Sequence, residues 1–536
     1  MAYAITQTCC TDASCVSVCP VNCIHPTPDE PDFGRTDMLY VDPQACIDCG
    51  ACADACPVDA IFPVDRLRGA DTEYARMNRE YYETADVSNE WTAPTFPRSL
   101  PEYPGTLRVA IVGTGPAACY TAQALLRDTG AEITMLDRLP LPGGLLRSGV
   151  APDHQSTKKI ADGFSWLYQH PRLRMHMNVE VGRDVAHEDL AAHHHAVIYA
   201  VGAATDRELG VDGEDLPGSV SATSFVSWYN AHPDFADLDV DLSAERAVVV
   251  GNGNVALDVA RILLSDPEEL AGTDIADHAL ERLRGSRVRE VVLLARRGPE
   301  HAAFTAPEFH AMRHLPGVRA VVEDGPEVRK AFAEPEPGGK AQLLAELPVE
   351  DVDLAEAPAD GKRLVFRFGA APAEVRGTDR VRAVRVRDGG EIATGLLVRA
   401  IGYRATPIAG LPFDEVTATV PNRGGRVLDA AGNPLPGTYV VGWAKRGPSG
   451  GIGTNRGCAR DTVGSLLDDA AAGHLREPAR TGFDRLVRAC APRSIGRRGM
   501  LNIDRAERER GERTGRPRVK FATVPELLGA ARRFGR

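Results

Sequence analysis

The sequence has no long hydrophobic segment and no leader-like beginning. No apolar run approaches the roughly 20 residues that a membrane-spanning helix needs, and the start MAYAITQTCC lacks the basic and then apolar order of a secretory signal. We therefore expect a cytoplasmic protein with no membrane span. Aromatic side chains make up only 6% of the chain, and the arginine-rich C-terminal region has very few, which argues against nucleic-acid binding.

Cysteine is scarce over most of the chain and concentrated at its beginning. Nine of the twelve cysteines fall within the first 56 residues. Because the cytoplasm is reducing, this concentration favours metal ligation over disulfide bonds. The sequence therefore predicts a metal centre in the N-terminal region.

These cysteines form two copies of one pattern, offset by 37 residues. The second copy, C-x2-C-x2-C-x3-C-P from Cys46 to Pro57, has the spacing that surrounds an iron–sulfur cluster, and its fourth thiolate ligates the other cluster. This crossing rule predicts a 4Fe–4S cluster bound by four thiolates, those of Cys19, Cys46, Cys49 and Cys52.

The other predicted cluster site has one thiolate fewer. Cys9, Cys15 and Cys56 are its cysteines, and Asp12 stands where the repeat places the fourth. Carboxylate is a poorer ligand for cluster iron than thiolate, so we expect a 3Fe–4S cluster, or a labile 4Fe–4S cluster with Asp12 on one iron. Cys10 and Cys23 align with non-cysteine residues and are predicted not to be ligands. The alternative for the whole region is zinc or free thiols.

A dinucleotide-binding fingerprint begins at residue 107. A short apolar strand precedes Gly113-x-Gly115-x-x-Ala118, a helix follows, and a second strand ends at Asp137. The glycines allow a tight turn and close approach to a pyrophosphate, and a carboxylate at this strand end binds a ribose diol. The segment therefore predicts a nucleotide site.

The same unit recurs at Gly251-x-Gly253-x-x-Ala256, but its second strand ends in Arg296 and Arg297 instead of an acid. Paired guanidinium groups suit a 2′-phosphate, which favours NADP(H), although a solvated arginine pair is the alternative. Since clusters accept electrons singly and nicotinamide gives a hydride, the first unit is expected to bind FAD.

Several segments of residues 107–470 resemble the adrenodoxin-reductase type of ferredoxin–NADP reductase, and the whole chain resembles the mycobacterial-type fusion of such a reductase to a ferredoxin. The matching stretches include GTGPAACYTA, LPGGLLRSGVAPDHQSTKK, GNGNVALDVARILL, VVLLARRGPEHAAFT and YVVGWAKRGPSGGIGTN. The resemblance implies an NADPH-dependent oxidoreductase, EC class 1.18.1.2, in which NADPH reduces FAD and electrons then pass through the clusters.

The resemblance also implies site residues. FAD would be contacted, beside Gly113 and Gly115, by Ala118, Asp137, Leu145, Val181, Trp443, Gly450, Gly451 and Ile452. NADP would be contacted, beside Gly251 and Gly253, by Arg207, Asn252, Asn254, Val255, Arg296, Arg297, Glu308 and Gly450. It places His154 near the flavin as the candidate catalytic residue. The family often has an acid three positions after Glu308, where this chain has Ala311.

The expected fold class is multidomain α/β, with an N-terminal bacterial ferredoxin-like α+β domain and two Rossmann-like dinucleotide-binding domains. The expected boundaries are 1–62 for the ferredoxin domain, 63–106 for a linker, 107–205 and 401–470 for a discontinuous FAD domain, 206–400 for an inserted NADP domain, and 474–536 for a basic extension. The extension is expected either to pack as a small appendage or to stay mobile. His193, His194 and His195 are expected in a solvated loop.

The expected partner is an external electron acceptor or a free ferredoxin, with a cytochrome P450 system as one option. Two other functions remain open from sequence. One is the small subunit of a glutamate synthase, which also combines cysteine motifs with FAD and NADPH sites. The other is a redox sensor or cluster carrier without enzymatic activity.

The repeat alignment makes a testable prediction about Asp12. Substitution Asp12→Cys supplies the missing fourth thiolate, so a labile three-iron cluster should become a stable four-iron cluster. Electron paramagnetic resonance of the purified protein, with iron and sulfide analysis, measures the conversion. An unchanged spectrum would contradict the alignment of the two copies.

Overall fold

The computed structural model describes residues 2–85, 87–90 and 106–532. Its N-terminal domain contains two short antiparallel ribbons and one short helix. Strand β1 pairs with β4 and β2 with β3, and the cysteine loops lie between them; the elements are β1 (Tyr3–Ile5), β2 (Ile24–His25), β3 (Tyr40–Val41), α1 (Ala51–Ala55) and β4 (Ile61–Pro63).

The predicted linker is not an irregular connector where the structure describes it. Helix α2 (Glu73–Thr84) lies against the N-terminal domain. The buried amide of Asn78 accepts hydrogen bonds from the backbone of Ile5 and Val41 and donates one to the carbonyl of Ile5. Part of the predicted linker is therefore a helix held against the N-terminal domain, because a polar side chain pairs strands that are far away in sequence. Residues 86 and 91–105 lie outside the described residues.

The first dinucleotide-type unit is a seven-stranded sheet flanked by helices, with strand order β21-β22-β23-β8-β5-β6-β7. Strands β23, β8, β5, β6 and β7 are parallel, and their central residues are almost fully buried. Its elements before the crossover are β5 (Arg108–Val112), α3 (Pro116–Asp128), β6 (Glu132–Asp137), α4 (Leu145–Ser148), α5 (Gln155–Lys158), α6 (Ile160–Gly163), α7 (Ser165–Gln169), β7 (Leu173–Met177), α8 (His187–His193) and β8 (Ala196–Tyr199).

The second unit is a seven-stranded parallel sheet, ordered β10-β19-β11-β12-β15-β13-β14, with a three-stranded antiparallel sheet beside it. The chain enters through β9 (Thr205–Asp206). The elements that follow are β10 (Ser219–Ser221), α9 (Ala222–Tyr229), β11 (Arg246–Val250), α10 (Asn254–Leu264), α11 (Pro267–Leu270), α12 (Asp277–Arg284), β12 (Glu290–Leu294), α13 (Ala306–Arg313), β13 (Val318–Glu323), α14 (Pro326–Ala333), α15 (Lys340–Leu344), β14 (Val349–Glu350), β15 (Lys362–Arg367), β16 (Pro372–Arg376), β17 (Ala383–Val386), β18 (Glu391–Ala393) and β19 (Leu396–Arg399).

The two chain crossings between the units pair with each other. Strand β9 forms an antiparallel ribbon with β20 (Tyr403–Arg404), so the chain leaves and re-enters the first unit side by side. The returning chain completes the first sheet with β21 (Asn422–Arg423), β22 (Arg426–Leu428) and β23 (Pro434–Val440), and continues into α16 (Trp443–Arg446) and α17 (Thr454–Ala471).

The basic C-terminal segment packs on both units as three helices, α18 (Phe483–Cys490), α19 (Arg497–Glu512) and α20 (Val524–Arg532). Glu507 on α19 is fully buried and accepts hydrogen bonds from Arg147 of the first unit. The ammonium group of Lys520, also buried, lies 2.8 Å from the carboxylate of Asp274 in the second unit. Of the two expectations for this region, packing is therefore confirmed.

The three consecutive histidines are buried, which corrects the expectation of a solvated loop. His193, His194 and His195 are each about 5% exposed, and the ring of Phe483 packs edge-on against the first two. Phe483 comes from the C-terminal segment, so the sequence around the histidines contains no sign of this cover. Within the described ranges, the helices are too short or too polar to cross a bilayer.

The buried carboxylate of Glu507 makes a prediction about stability. Burial would raise the pKa of Glu507, but Arg147 and Arg518 outweigh this effect and lower the pKa. The ionised carboxylate therefore stabilises the folded protein at neutral pH, and this stabilisation is lost as pH falls below the ordinary carboxyl range. Glu507→Gln leaves the half-buried guanidinium group of Arg147 without its anion and leaves Arg518 with Asp504 alone, which should cost about 3 kcal/mol.

Thermal unfolding followed by circular dichroism measures this loss. Glu512→Gln, at an exposed position at the end of α19, is the matched control and should leave the midpoint within error. Equal midpoints for the two variants would contradict the structural role of Glu507.

Candidate functional site

A first cavity of about 260 Å³ lies in the N-terminal domain between the two cysteine copies. The residues of the predicted three-thiolate site, Cys9, Cys15, Cys56 and Asp12, all line it, together with apolar side chains. Cys10, which the repeat predicts not to be a ligand, also lines this cavity. The donor set therefore fits an iron–sulfur cluster.

The carboxylate of Asp12 already has other partners within the protein. Its carboxylate accepts hydrogen bonds from the backbone amide and the hydroxyl of Ser14. The guanidinium group of Arg456, in α17, donates to the Asp12 carbonyl at 2.7 Å and lies 4.0 Å from its carboxylate. These contacts compete with a role for Asp12 as an iron ligand.

A second cavity of about 280 Å³ is lined by all four predicted 4Fe–4S ligands, Cys19, Cys46, Cys49 and Cys52. Cys23, predicted not to be a ligand, lies there too, with its sulfur 3.4 Å from that of Cys19. None of the cysteines in the described residues forms a disulfide. Cys49 is exposed, so this cavity opens toward solvent.

The two glycine fingerprints occupy equivalent positions in the two sheets. Gly113 follows β5 with φ +105°, and a Cβ there would lie 2.4 Å from the carbonyl oxygen of Ala200. Gly251 follows β11 with φ +122°, and a Cβ there would lie 2.2 Å from the carbonyl oxygen of Ala400. In both units only glycine lets the loop turn beside the neighbouring strand and start a helix whose N-terminus faces the site.

The residues predicted to contact FAD gather around the first fingerprint. Gly144, just before Leu145, would place a Cβ 3.1 Å from Gly115, and Gly442, just before Trp443, would place one 2.8 Å from the methyl group of Ala117. The loop that contains Val181 begins beside Asp137, where the amide of Val179 donates to the Asp137 carbonyl. Gly450, Gly451 and Ile452 form the turn before α17, which packs on α3.

Asp137 ends β6 as predicted for a ribose-binding acid. Its carboxylate accepts hydrogen bonds from the hydroxyl of Thr114 and the amide of Leu139. Burial raises the pKa of Asp137, although these hydrogen bonds act in the opposite direction. A buried carboxylate at the end of the second strand fits the ribose of a dinucleotide.

The second fingerprint is held by the segment that leads into α13. The side-chain oxygen of Asn252 accepts from the amide of Ala303 at 3.3 Å, and that of Asn254 accepts from the amide of Thr305 at 2.8 Å. Both asparagines therefore shape the loop, in which the amide of Gly251 donates to the carbonyl of Leu294 at 2.9 Å.

Arg296 and Arg297 follow β12 with exposed side chains. Neither guanidinium group forms an ion pair with any residue that the structure describes. Arg207 is also exposed, beside the crossover, where its amide donates to the carbonyl of Gly402 at 3.1 Å. Two unpaired cations at this strand end fit the 2′-phosphate of NADP.

An unexpected group of charges lies between the two units. Ring nitrogen and carboxylate oxygens of His154, Asp258 and Glu308 lie within 4.8 Å of one another. Arg261 forms ion pairs with Asp153 and Asp258 and lies 3.6 Å from Glu308. Its guanidinium group already compensates the negative charge of these acids. The cluster is therefore suited to holding a proton rather than a metal ion.

Glu308 and Arg261 both have spare hydrogen-bonding capacity in this cluster. Burial raises the pKa of Glu308, and Asp258 adds to the effect. Its Oε2 atom is buried and has no hydrogen-bond partner in the described part of the chain. The sequence reasoning missed Asp258 and Arg261, although their spacing of three residues within GNGNVALDVARILL places them on one helix face.

The N-terminal domain packs directly on the flavin-side turn. The amide of Gly453 donates to the carbonyl of Cys10 at 2.8 Å. A Cβ at Gly453 would lie 2.2 Å from the backbone of Thr11. This close contact places the first cavity beside residues 450–452.

The same domain also contacts the second unit at the start of α13. The carboxylate of Asp37 accepts a hydrogen bond from the amide of Ala306 at 2.7 Å and forms an ion pair with Lys340 at 3.0 Å. The N-terminus of a helix attracts negative charge. One domain therefore contacts both dinucleotide-type units and covers the junction between them.

Comparisons with known proteins agree with this arrangement. Residues 107–298 match the family of pyridine nucleotide-disulphide oxidoreductases, and residues 39–62 match the 4Fe-4S binding domain. A probable ferredoxin/ferredoxin–NADP reductase of Mycobacterium tuberculosis is 48% identical, with 99% of this chain and 95% of that protein covered. The chain belongs to the ferredoxin/ferredoxin–NADP reductase family.

Other relatives support the same conclusion. The counterpart in Mycobacterium leprae is 46% identical and covers 99% of this chain and 98% of its own. The solved structure of Mycobacterium tuberculosis FprA in complex with NADPH is 41% identical and covers 80% of this chain and all of its own, with a TM-score of 0.72. Membership of the ferredoxin/ferredoxin–NADP reductase family confirms the predicted fold class and an NADPH-dependent flavoprotein oxidoreductase.

The arginine pair makes a prediction about cofactor choice. Arg296→Ala with Arg297→Ala removes both cations at the strand end and should raise the KM for NADPH about tenfold or more, with little change for NADH. Steady-state kinetics with both cofactors measures the ratio. Arg287→Ala, an exposed arginine before β12, is the matched control. If the double substitution raised the KM for NADPH and for NADH equally, the assignment of this arginine pair to the 2′-phosphate would be contradicted.

Proposed function

We propose that this chain is a ferredoxin–NADP reductase that carries its own ferredoxin as the first electron acceptor. When bound, FAD would exchange a hydride with NADPH and release electrons singly to the iron–sulfur clusters. The observation that carries the proposal is the contact between Gly453 and the loop of residues 10–12, because it joins a thiolate-lined cavity to the predicted flavin turn.

The first unit supplies the proposed FAD site. The amide groups around Gly113, Gly115 and Ala118 would face the pyrophosphate, and Asp137 would accept from the ribose. Leu145, Val181, Trp443, Gly450, Gly451 and Ile452 would line the rest of the site. The second unit would hold the nicotinamide dinucleotide through Gly251, Asn252, Gly253, Asn254, Val255, Arg207, Arg296, Arg297, Glu308 and Gly450.

His154 is the proposed catalytic residue. It lies at the junction of the two units, where it would orient the nicotinamide and exchange hydrogen bonds with Glu308. Hydride transfer depends mainly on the alignment of donor and acceptor. The contacts of Asp258 with Arg261 hold this arrangement.

The two cavities would hold clusters of different type. Cys19, Cys46, Cys49 and Cys52 would bind a 4Fe–4S cluster. Cys9, Cys15 and Cys56 would bind a 3Fe–4S cluster, and the engagement of Asp12 by Ser14 argues against a stable fourth ligand. Cys49 is exposed, so the second cavity would face the external acceptor.

The proposed acceptor is a separate electron-transfer protein, such as a free ferredoxin or a cytochrome P450 system. The proposed location is the cytoplasm, since the cysteines form no disulfides among the described residues and the clusters need reduced thiolates. The relatives favour this function over a glutamate synthase subunit or a non-enzymatic redox sensor.

Anaerobic titration with NADPH tests the function directly. NADPH should bleach the flavin absorbance and then the cluster absorbance, and the protein should contain one flavin and about seven irons per chain. Optical and paramagnetic spectra, with iron, sulfide and flavin analysis, provide the measurements. The proposal would be overturned if the protein contained no acid-labile sulfide, or if NADPH did not reduce its bound flavin.

A further inference from the structure

A side chain of the N-terminal domain reaches the junction between the two dinucleotide-type units. Gln7, two residues before Cys9, lies with its amide nitrogen 3.4 Å from Nε2 of His154. Both residues are half-buried. A residue from the cluster domain therefore contacts the proposed catalytic group of the reductase directly, although 147 positions separate the two in sequence.

Gln7 is held from its other side by a buried tyrosine. The hydroxyl of Tyr74, in α2, donates to the side-chain oxygen of Gln7 at 3.2 Å. Tyr74 is only 2% exposed, and its ring packs edge-on against His310 in α13. Since the oxygen of Gln7 is used by Tyr74, the amide nitrogen is the group that faces His154.

This arrangement selects one form of the His154 ring. The amide nitrogen of Gln7 can only donate a hydrogen bond, so Nε2 of His154 accepts it. The proton of the neutral His154 ring is then on Nδ1. His154 also lies within 4.8 Å of the carboxylates of Glu308 and Asp258. Hydrogen-bond contacts thus run from Tyr74 through Gln7 to His154, which stands beside these acids.

We propose that Gln7 is a positioning residue of the reductase site, which fixes the orientation and the proton position of His154. The fused domain would then complete the hydride-exchange site as well as accept its electrons. This inference rests on the proposed function and on the role of His154 within it.

The substitution Gln7→Met tests the inference, because methionine has a similar length and no strong hydrogen-bonding group. Loss of one hydrogen bond should slow the reduction of bound flavin by NADPH about fivefold in anaerobic stopped-flow experiments, with the Kd for NADP⁺ unchanged. Thr8→Val is the matched control. It lies one residue closer to Cys9, and its buried hydroxyl has no partner among the described residues, so it should leave the rate unchanged.

A second measurement needs no turnover. Diethylpyrocarbonate reacts with an unprotected imidazole nitrogen, and Gln7 covers Nε2 of His154. In the holoprotein, Gln7→Ala removes that cover and should raise the carbethoxylation rate of His154 about fivefold, measured by peptide mass spectrometry against the exposed His301. An unchanged rate at His154 would overturn the contact.

A double-mutant cycle shows whether the effect passes through His154. In a His154→Ala background, Gln7→Met should slow flavin reduction no further. An equal additional loss in that background, or a loss of the same size in Thr8→Val, would overturn the positioning role. If NADPH fails to reduce the flavin even in the unsubstituted protein, the proposed function fails instead, and the carbethoxylation assay still decides the Gln7 contact.

Discussion

The contact between Gly453 and the backbone of residues 10–12 constrains the rest of the molecule. Any side chain at position 453 would overlap the carbonyl and amide groups of Thr11 and Asp12, so the loop of the first cavity and the first turn of α17 approach as closely as backbone allows. Because α17 packs on α3, the same contact ties this cavity to the glycine fingerprint of the first unit. The spacing between the predicted cluster and the predicted flavin is thus set by main chain, which varies less than side chains do.

Two regions hold the dinucleotide-type units in one orientation. The N-terminal domain does so from one side, through Gly453 on the first unit and through Asp37 at the start of α13 on the second. The C-terminal segment does so from another side, where Glu507 binds Arg147 and Lys520 binds Asp274. Buried ion pairs contribute little net stability but penalise any arrangement that separates them. The charged cluster around His154 therefore forms between surfaces that cannot drift apart without exposing unpaired charge.

Local spacing carried most of what could be predicted from sequence. The 37-residue repeat grouped the cysteines into two sets, and the structure places each set around one cavity, since strand pairing brings the loops of the two copies together. The glycines of both fingerprints were predictable for a similar reason, because a tight turn between a strand and a helix depends on the residues within it. Residues such as Gln7, Asp37 and Asp258 were not identified in this way, since they meet His154, Ala306 and Glu308 respectively, which are 50 or more positions away.

The sequence by itself determined the two cysteine sets, the two nucleotide fingerprints and the absence of an acid at the end of the second unit's second strand, because each depends on residues within about 40 positions of one another. Only the tertiary structure decided that the predicted linker contains a helix, that three adjacent histidines are buried, two of them against Phe483, and that the N-terminal domain reaches His154. The physical reason is the same in each case. Burial and hydrogen bonding of these groups depend on surfaces contributed by distant parts of the chain, and no local pattern records which surfaces meet.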